Sequence, residues 1–224
     1  IVGAPGWTGL ETRLGAAYIY TRSGNSWSMV QKLEPADSGD GRPGDIAYGG
    51  TVAISRDGTT IAVGSPYYAN GKGAIFVYTK VGGVWTLQTK LMPSQVDTWQ
   101  DMAWMHLNIS ADGNTIAAGA HGADIGGFTD AGCIYVFTRS GSVWSEQAKL
   151  TASDMTNNTQ LGFNSGSLSD DGNLLIAGVP STGNSTQRAA YVFNRTGSTW
   201  AQVQKIVPSD FQTGDIFGLW FDLK

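Results

Sequence analysis

The stretch Gly132-Cys-Ile-Tyr-Val-Phe-Thr-Arg-Ser-Gly-Ser-Val-Trp144, which leads on to Lys149-Leu150, decides the fold because it is one of four related copies. The other copies begin at Gly15, Gly73 and Ala189. A nearly constant period indicates a repeat architecture, in which each unit buries its faces against its neighbours. We therefore expect the four tryptophans, spaced 58, 59 and 56 residues apart, to be structural: Trp27, Trp85, Trp144 and Trp200.

Each repeat contains the signals of four short strands, and the second repeat serves as the example. Asp57-Gly58 lies between two apolar runs, which is a strong hairpin signal. The third strand is apolar on both faces, as is typical of a strand that is buried on both sides. Antiparallel four-stranded sheets that repeat and stack face to face predict the blades of an all-β propeller. The expected strands of the second repeat are residues 48–54, 60–64, 73–79 and 85–91.

Composition narrows the class of protein. The chain has 224 residues, 31 glycines and only 14% charged residues, as expected of many short strands that tight turns connect. The net charge is −4 and the basic residues are scattered, so we expect no nucleic-acid partner. The sequence has no run of about 20 apolar residues, so we expect no membrane insertion.

Further short motifs recur in fixed order around the repeat. The hairpin motif Ser-x-Asp-Gly occurs three times, the second strand ends in Gly3-Ala-Pro5 or Gly178-Val-Pro180, and Leu161-Gly162 or Phe217-Gly218 precedes the first strand. Together these motifs resemble the FG-GAP repeat family of integrin-α-like β-propellers, and most of all its Trp-containing bacterial and viral branch. The resemblance covers essentially the whole chain and implies a propeller fold.

The repeats predict one propeller domain over residues 1–224. The chain begins on a second strand and stops after a first strand, which leaves two alternatives open. Either three complete blades and a fourth, split between the termini, close one ring, or the chain is a segment of a larger propeller of about seven blades, as the resemblance implies. The approximate repeat boundaries are 1–47, 48–101, 102–160 and 161–216, with 217–224 starting a further blade.

The resemblance also raises the question of calcium, which integrin-type repeats bind in the turn between the first two strands. Calcium needs six to eight oxygen ligands. The turn Ser55-Arg-Asp57-Gly58 lacks the upstream acidic pair of that pattern, so we expect no calcium and no other cofactor. The hairpin aspartates are interpreted as turn formers: Asp57, Asp112 and Asp171. A second acidic loop has the wrong spacing and is a weak metal candidate: Asp37, Asp40 and Asp45.

Catalytic motifs are absent from the sequence. It has two histidines, His106 and His121, and no HExxH, P-loop or nucleophile elbow. His121 replaces the proline of Gly-x-Pro, which suggests that it caps a strand end. His106 lies at the start of a first strand, where a hydrogen-bonded structural histidine is expected. We therefore predict that the protein has no catalytic residues and is not an enzyme.

The best functional clue is the variation of loops on one propeller face. Loops between the second and third strands share that face with loops between blades, and loops on a rigid scaffold often carry recognition. Trp99 and Trp104 fall outside the repeat pattern, and loop aromatics can stack on sugars or anchor a protein contact. They can equally pack on the propeller surface or on a neighbouring domain. The candidate ligand-binding residues are Trp99, Trp104, Tyr67, Tyr68, Trp7, Asp124 and Asp130.

These observations predict a non-catalytic, extracellular binding or structural module in an adhesin, a surface assembly or a virion appendage. Its partner would be a protein or a glycan on the variable loop face, with neighbouring domains or subunits beside it. One alternative is a lectin-like propeller that uses the loop aromatics. A second is a hydrolase, which would require two loop carboxylates close together, one with a raised pKa: Asp97, Asp101, Asp124 or Asp130.

Overall fold

The fold is seen in a computed structural model, which describes residues 1–6, 14–35, 37, 46–95, 100–163, 166–179, 189–210, 217–218 and 221–223. These residues form fifteen strands in four antiparallel sheets, called blades 1 to 4 here. Blade 1 comprises β1 (Val2–Ala4), β2 (Ala16–Ser23) and β3 (Ser26–Leu33). Blade 2 comprises β4 (Val52–Ile54), β5 (Thr60–Ser65), β6 (Ala74–Val81) and β7 (Val84–Leu91), with one short helical turn, α1 (Tyr68–Gly71), before β6.

Blades 3 and 4 repeat the arrangement of blade 2. Blade 3 comprises β8 (Leu107–Ile109), β9 (Thr115–Ala120), β10 (Cys133–Ser140) and β11 (Val143–Leu150). Blade 4 comprises β12 (Gly166–Leu168), β13 (Leu174–Val179), β14 (Ala189–Thr196) and β15 (Thr199–Ile206). Strands pair in chain order, and β8 contacts both β4 and β12. The prediction of an all-β propeller built from antiparallel blades is therefore confirmed.

The hydrophobic core lies between blades, in three separate clusters. The first joins Ile19 of blade 1 to Phe76 of blade 2, and the second joins Val77 of blade 2 to Tyr135 of blade 3. The third joins Val136 of blade 3 to Tyr191 of blade 4. Successive residues of one strand thus enter different clusters, because neighbouring side chains on a strand point to opposite faces. This is why the third strand of each repeat is apolar throughout.

Glycines set the spacing between consecutive blades. A Cβ atom on Gly119 at the end of β9 would lie 2.1 Å from the carbonyl oxygen of Gly162, which precedes β12. The same contact is made by the pairs Gly3 and Gly49, and Gly178 and Gly218, at 2.0 Å each. No side chain fits in such a gap, so the glycines of the Gly-x-Pro and Leu-Gly motifs are complementary halves of one interblade contact.

One junction departs from this pattern, because alanine replaces the second glycine. Ala103 takes that position between blades 2 and 3 with φ of 66°, a left-handed conformation that residues other than glycine rarely adopt. A Cβ atom on Gly64 would lie 2.9 Å from both the carbonyl oxygen and the Cβ of Ala103. The backbones are therefore less tightly apposed here than at the three glycine pairs.

Two of the repeat tryptophans, Trp144 and Trp200, connect their blades to the preceding blade by a hydrogen bond. A β-bulge leaves Gln88 of β7 and Gln147 of β11 without an opposite residue on the paired strand. The indole Nε1 of Trp144 donates a hydrogen bond to Gln88 Oε1, and that of Trp200 donates to Gln147 Oε1, both at 2.9 Å. Arg139 lies over the Trp144 ring in a cation–π contact. Each bulge glutamine thus holds the tryptophan of the next blade.

The four repeat tryptophans, which we expected to be structural, are not equally buried, and Trp27 is the most exposed of them. Trp85 is 6% exposed and packs against blade 1, whereas Trp27 of blade 1 is 66% exposed. The two residues occupy the same register position in their sheets, opposite Lys80 and Arg22. The difference arises because no described part of the chain covers the outward face of blade 1.

The described residues near the C-terminus lie against blade 4. Gly218 contacts Gly178 as Gly162 contacts Gly119, and the backbone N–H of Leu223 donates to Ser167 Oγ at 2.9 Å. Within the described residues, β1 pairs with β2 alone. Closure of the ring by pairing of the two ends of one chain is therefore not observed in this part of the structure.

His106 is buried in the wall between β8 and β12. A Cβ atom on Gly166 would lie 2.2 Å from its Cε1, and neither ring nitrogen has a partner of regular hydrogen-bond geometry among the described residues. His106 is thus a buried residue of the interblade wall, as a structural histidine is expected to be, and no regular hydrogen bond to its ring is found within the described residues. Burial lowers the pKa of His106 to about 4, and the side chain of Asn108 offsets that effect only in part.

We predict that Gly119→Ala destabilises the fold by roughly 3 kcal/mol, because the new methyl group would overlap a backbone carbonyl that cannot move independently. Gly141→Ala is the control for an added methyl group without a steric overlap. The φ of Gly141, 62°, lies outside the range favoured by alanine, a strain that Gly119 does not have, but nothing lies within 4 Å of the new Cβ atom, so a cost of about 1 kcal/mol is expected. Denaturant unfolding curves measure both values, and equal losses would refute the interblade contact.

We predict that the free energy of unfolding falls as the pH drops from about 6.5 to about 4. The unfolded chain binds protons at its histidines in this window, whereas the folded chain keeps His106 neutral, so the stabilisation is complete above pH 6.5. Burial also lowers the pKa of His121 to about 4. Each histidine contributes a slope of up to about 1.4 kcal/mol per pH unit to the free energy of unfolding. His106→Gln should therefore remove about half of the combined slope of the two histidines. An unchanged slope in denaturant titrations of this variant would contradict the assignment.

Candidate binding face

Four aromatic rings form a continuous row on the loop face of the propeller. Tyr67 and Trp104 lie 5.1 Å apart between ring centroids, Trp104 and His121 lie 6.4 Å apart, and His121 and Phe163 lie 4.7 Å apart. The last pair meets edge to face, at 85°. Each ring is partly exposed. We call these four residues the aromatic row.

The row crosses two blade junctions. Tyr67 and His121 follow the second strands of blades 2 and 3, while Trp104 and Phe163 lie in the turns that lead into the first strands of blades 3 and 4. The close interblade contacts described above join these same segments. The backbone of the turn is fixed by hydrogen bonds, since the N–H of Trp104 donates to the carbonyl of Asp101 at 3.1 Å. A rigid scaffold thus holds the rings in place.

His121 is the most enclosed polar group of the row. Its Nε2 lies 4.0 Å from Asp101 Oδ2. Burial lowers the pKa of His121 to about 4, so the ring is neutral at neutral pH and the contact with Asp101 is not an ion pair there. A neutral imidazole between two aromatic rings behaves as part of an apolar surface that carries one carboxylate at its edge.

The structure brings together two of the predicted ligand-binding residues, Tyr67 and Trp104, but not Tyr68. Tyr68 is buried, where it packs edge to face on Phe76 and donates its hydroxyl to Asp37 Oδ1 at 2.5 Å. Lys90 donates to the same hydroxyl at 2.8 Å. The prediction that Tyr68 binds a ligand is therefore wrong, because its side chain turns inward.

Asp37 was a weak metal candidate, and its contacts are those of a structural residue. Lys90 Nζ lies 3.0 Å from Asp37 Oδ2. Blade 4 repeats the arrangement, since Asp154 accepts hydrogen bonds from Tyr191 at 2.7 Å and from Lys205 at 2.5 Å. These partners neutralise the carboxylate of Asp37. Within the residues that the structure describes, no three His, Cys, Asp or Glu side chains cluster as a metal site requires.

Asp124 and Asp130 lie at the two ends of one loop, which folds back on itself through Ile125 and Phe128. The backbone N–H of Asp130 donates to Asp124 Oδ1 at 2.9 Å. Burial, and then the negative charge of Asp124, raise the pKa of Asp130 above its usual value. The two carboxylates therefore interact. The carboxylate of Asp101 instead faces His121.

Each of the three hairpin aspartates makes the same pattern of hydrogen bonds within its own hairpin. Asp57 Oδ1 accepts from the backbone N–H of Thr59 at 2.9 Å, and Asp112 and Asp171 accept from the equivalent residues Asn114 and Asn173. A serine two residues earlier donates its hydroxyl to each carboxylate. These bonds lower the pKa of Asp57 and Asp171. Five other predicted residues lie outside the described residues: Trp7, Trp99, Asp40, Asp45 and Asp97.

Sequence reasoning missed His121 and Phe163 as members of the site. A signal for Phe163 was present, because it lies two residues after buried Leu161, as Trp104 lies two residues after buried Met102. The sequence shows that His121 replaces the proline of Gly-x-Pro, which predicts a strand cap and gives no sign that the ring belongs to an aromatic row. That it contacts Phe163 depends on the packing of blade 3 on blade 4, which no local pattern reveals.

Comparisons with known proteins identify one sequence repeat in the chain and its overall fold. The family model described as FG-GAP repeat matches residues 144–193, which run from the tryptophan of β11 into β14. A comparison with curated proteins finds no match. No helix within the described residues is both long and apolar enough to cross a lipid bilayer.

Three solved structures share the fold at low sequence identity. They are a protein from Bacteroides uniformis ATCC 8492 named as a candidate 6-phosphogluconolactonase (10% identity, TM-score 0.54), a protein from Lactobacillus plantarum (13%, 0.54) and a eukaryotic initiation factor (11%, 0.50). The matches cover 85%, 85% and 91% of this chain, and 48%, 48% and 42% of the three structures. The chain thus spans about half the length of the structures that it matches.

The first of these structures corrects the prediction that the protein is not an enzyme. That prediction rested on the absence of known catalytic motifs, yet a candidate 6-phosphogluconolactonase has the same fold. The absence of those motifs from a propeller is therefore no ground for excluding catalysis. At 10% identity the likeness extends to the fold alone, and the neighbour's reaction is not transferred to this chain.

The family match covers the motifs that carry the sequence resemblance. Residues 144–193 include the tryptophan, the Leu161-Gly162 pair, the third Ser-x-Asp-Gly hairpin and the Gly178-Val-Pro180 strand end. The prediction of an FG-GAP repeat is therefore confirmed over residues 144–193, which match the FG-GAP repeat model and lie within an all-β propeller.

Proposed function

We propose that this protein is an extracellular recognition module that holds its partner against the aromatic row on the loop face. The observation that carries the proposal is the unbroken contact of four partly exposed rings across two blade junctions. An adhesin, a surface assembly or a virion appendage is the setting that the FG-GAP resemblance favours. Neighbouring domains or subunits would lie beside the row.

The placement of the rings supports binding rather than simple core packing. The three core clusters lie between the sheets, and none of them contains a member of the row. Met105, next to Trp104, is also exposed. Rings held on a rigid scaffold lose little conformational entropy when a partner binds, which makes such a surface efficient in recognition.

A glycan is the partner that the chemistry of the row favours. Aromatic faces stack on the apolar faces of sugar rings, and a carboxylate beside them accepts hydrogen bonds from sugar hydroxyls. Trp104 and Tyr67 supply the first element, and Asp101, whose side chain is partly exposed at the edge of the row, supplies the second. A protein with an apolar contact patch is the other partner that this surface suits.

We predict that Trp104→Ala weakens glycan binding at least about tenfold, because it removes the central stacking surface. Glycans identified on an array are titrated calorimetrically against the wild-type protein and this variant. Trp27→Ala is the matched control, since it also removes a partly exposed tryptophan but lies on the outward side of blade 1. An array without hits would remove the glycan assignment, and hits insensitive to Trp104→Ala would place the site elsewhere.

Hydrolysis is a second candidate function, and Asp124 with Asp130 is the observation that favours it. Glycoside hydrolases use two carboxyl groups, one of which stays protonated as a general acid. The raised pKa of Asp130 beside Asp124 fits that division of roles. The proposal assigns Asp130 as the acid and Asp124 as the charged partner.

We predict that Asp130→Asn abolishes any hydrolysis of chromogenic glycosides, and that wild-type activity falls as the pH rises through the pKa of Asp130. Glu34→Gln is the control, because it removes a carboxylate on the outer edge of blade 1 that pairs with Lys32. No turnover across the glycoside panel, or turnover that Asp130→Asn leaves intact, would rule out this assignment.

A further inference from the structure

We infer that the aromatic row contains two equivalent subsites, one at each blade junction, and that its ligand is a linear β-1,4-linked oligosaccharide of at least three units. This ligand class rests on the proposed function, since the row must first bind a glycan at all. Two turns that lead into the first strands of consecutive blades each present one ring of the row, and both turns hold the ring in the same way.

One backbone turn of four residues leads into the first strand of blades 2, 3 and 4. It comprises residues 47–50, 101–104 and 160–163. In each turn the first and third residues have a left-handed φ, between 47° and 85°, and the second residue is fully buried. The N–H of the fourth residue donates to the carbonyl of the first at 2.9 to 3.1 Å. The fourth residues therefore occupy equivalent positions on successive blades.

The side chain at the fourth position is not needed to form the turn. This position holds glycine in blade 2, tryptophan in blade 3 and phenylalanine in blade 4: Gly50, Trp104 and Phe163. Gly50 makes the turn without a ring, since its N–H donates to the carbonyl of Ala47 at 2.9 Å. Trp104 and Phe163 are thus large side chains added to a turn that forms without them, on loops of a rigid scaffold where ligand contacts are common.

A ring of the preceding blade supports each of these two rings. Tyr67, after the second strand of blade 2, lies 5.1 Å from Trp104 between ring centroids. His121, after the second strand of blade 3, lies 4.7 Å from Phe163. Each junction therefore carries one pair of rings, which forms one subsite. The contact between Trp104 and His121, at 6.4 Å, joins the two subsites.

The distance between the subsites sets the minimum length of the ligand. Because Trp104 and Phe163 occupy equivalent positions in consecutive blades, their rings are separated by about one blade, which is roughly 10 Å for packed sheets. A single pyranose is about as wide as one aromatic ring, so it can stack on one subsite only. A chain of sugars can stack on both, and its middle unit would meet the ring of His121.

The equivalent display of the two rings selects the type of linkage. In a β-1,4-linked chain each unit is turned over relative to its neighbours, so every second unit presents the same face. The first and third units of a trisaccharide can therefore place the same apolar face on Trp104 and on Phe163. Two stacking contacts linked within one molecule raise the affinity without any new kind of contact. A linear β-1,4 glycan of three or more units is the class that this arrangement fits.

Calorimetric titration with β-1,4-linked glucose and N-acetylglucosamine oligomers of increasing length tests the inference. We predict that the dissociation constant falls at least about tenfold from the disaccharide to the trisaccharide, because the third unit reaches the second subsite. Phe163→Ala should remove this step and leave the disaccharide affinity within about threefold of the wild-type value, since the Trp104 subsite persists. Phe163→Tyr keeps a stacking ring and should preserve the step.

Phe128→Ala is the matched control, because it removes another exposed phenylalanine of blade 3 that is not part of the row, and it should preserve the step. A wild-type protein that binds disaccharide and trisaccharide equally overturns the inference, and so does a step that Phe163→Ala leaves intact. Equal binding that Trp104→Ala still weakens refutes the two subsites but retains the proposed function. An oligomer series that does not bind refutes the ligand class, even if another glycan binds in a Trp104-dependent way.

Discussion

The close contact between glycines of consecutive blades is the constraint on which the rest of the structure depends. Backbone meets backbone where the second strand of one blade ends and the first strand of the next begins, with room for no side chain at Gly3, Gly119 or Gly178. This contact fixes the separation of the sheets near their inner strands. The small residues of β9, such as Ala117 and Ala118, fit that narrow gap, while larger rings fill the wider space further out.

Farther from the inner strands, a bulge and a tryptophan perform the equivalent task. The bulge turns Gln88 and Gln147 out of their own sheets and towards the next blade, where each accepts a hydrogen bond from an indole N–H. Such polar bonds across the interface define the register of one sheet on the next. They also make blade 3 directional, with the donor Trp144 on one face and the acceptor Gln147 on the other.

The aromatic row is a consequence of the same junctions. The glycine contacts bring the residue after each second strand beside the turn of the following blade, so an aromatic at either place meets its neighbour. Tyr67 and Trp104 meet at one junction, and His121 and Phe163 meet at the next. The proposed recognition surface therefore lies at the blade junctions of the scaffold, where the identity of a few side chains determines its chemistry.

The sequence by itself determined the repeat, the four-stranded unit, the hairpin turns and the propeller class, because these depend on local periodicity and on glycine and aspartate at fixed spacing. It also predicted Tyr67 and Trp104 as candidate ligand-binding residues, and the structure places their rings in contact. Only the tertiary structure decided that adjacent Tyr68 turns inward to Asp37 and Lys90, that Trp27 is exposed while Trp85 is buried, and that His121 joins Phe163. The physical reason is that these outcomes depend on which surface faces a neighbouring blade, and two residues with the same local pattern can face different neighbours or none.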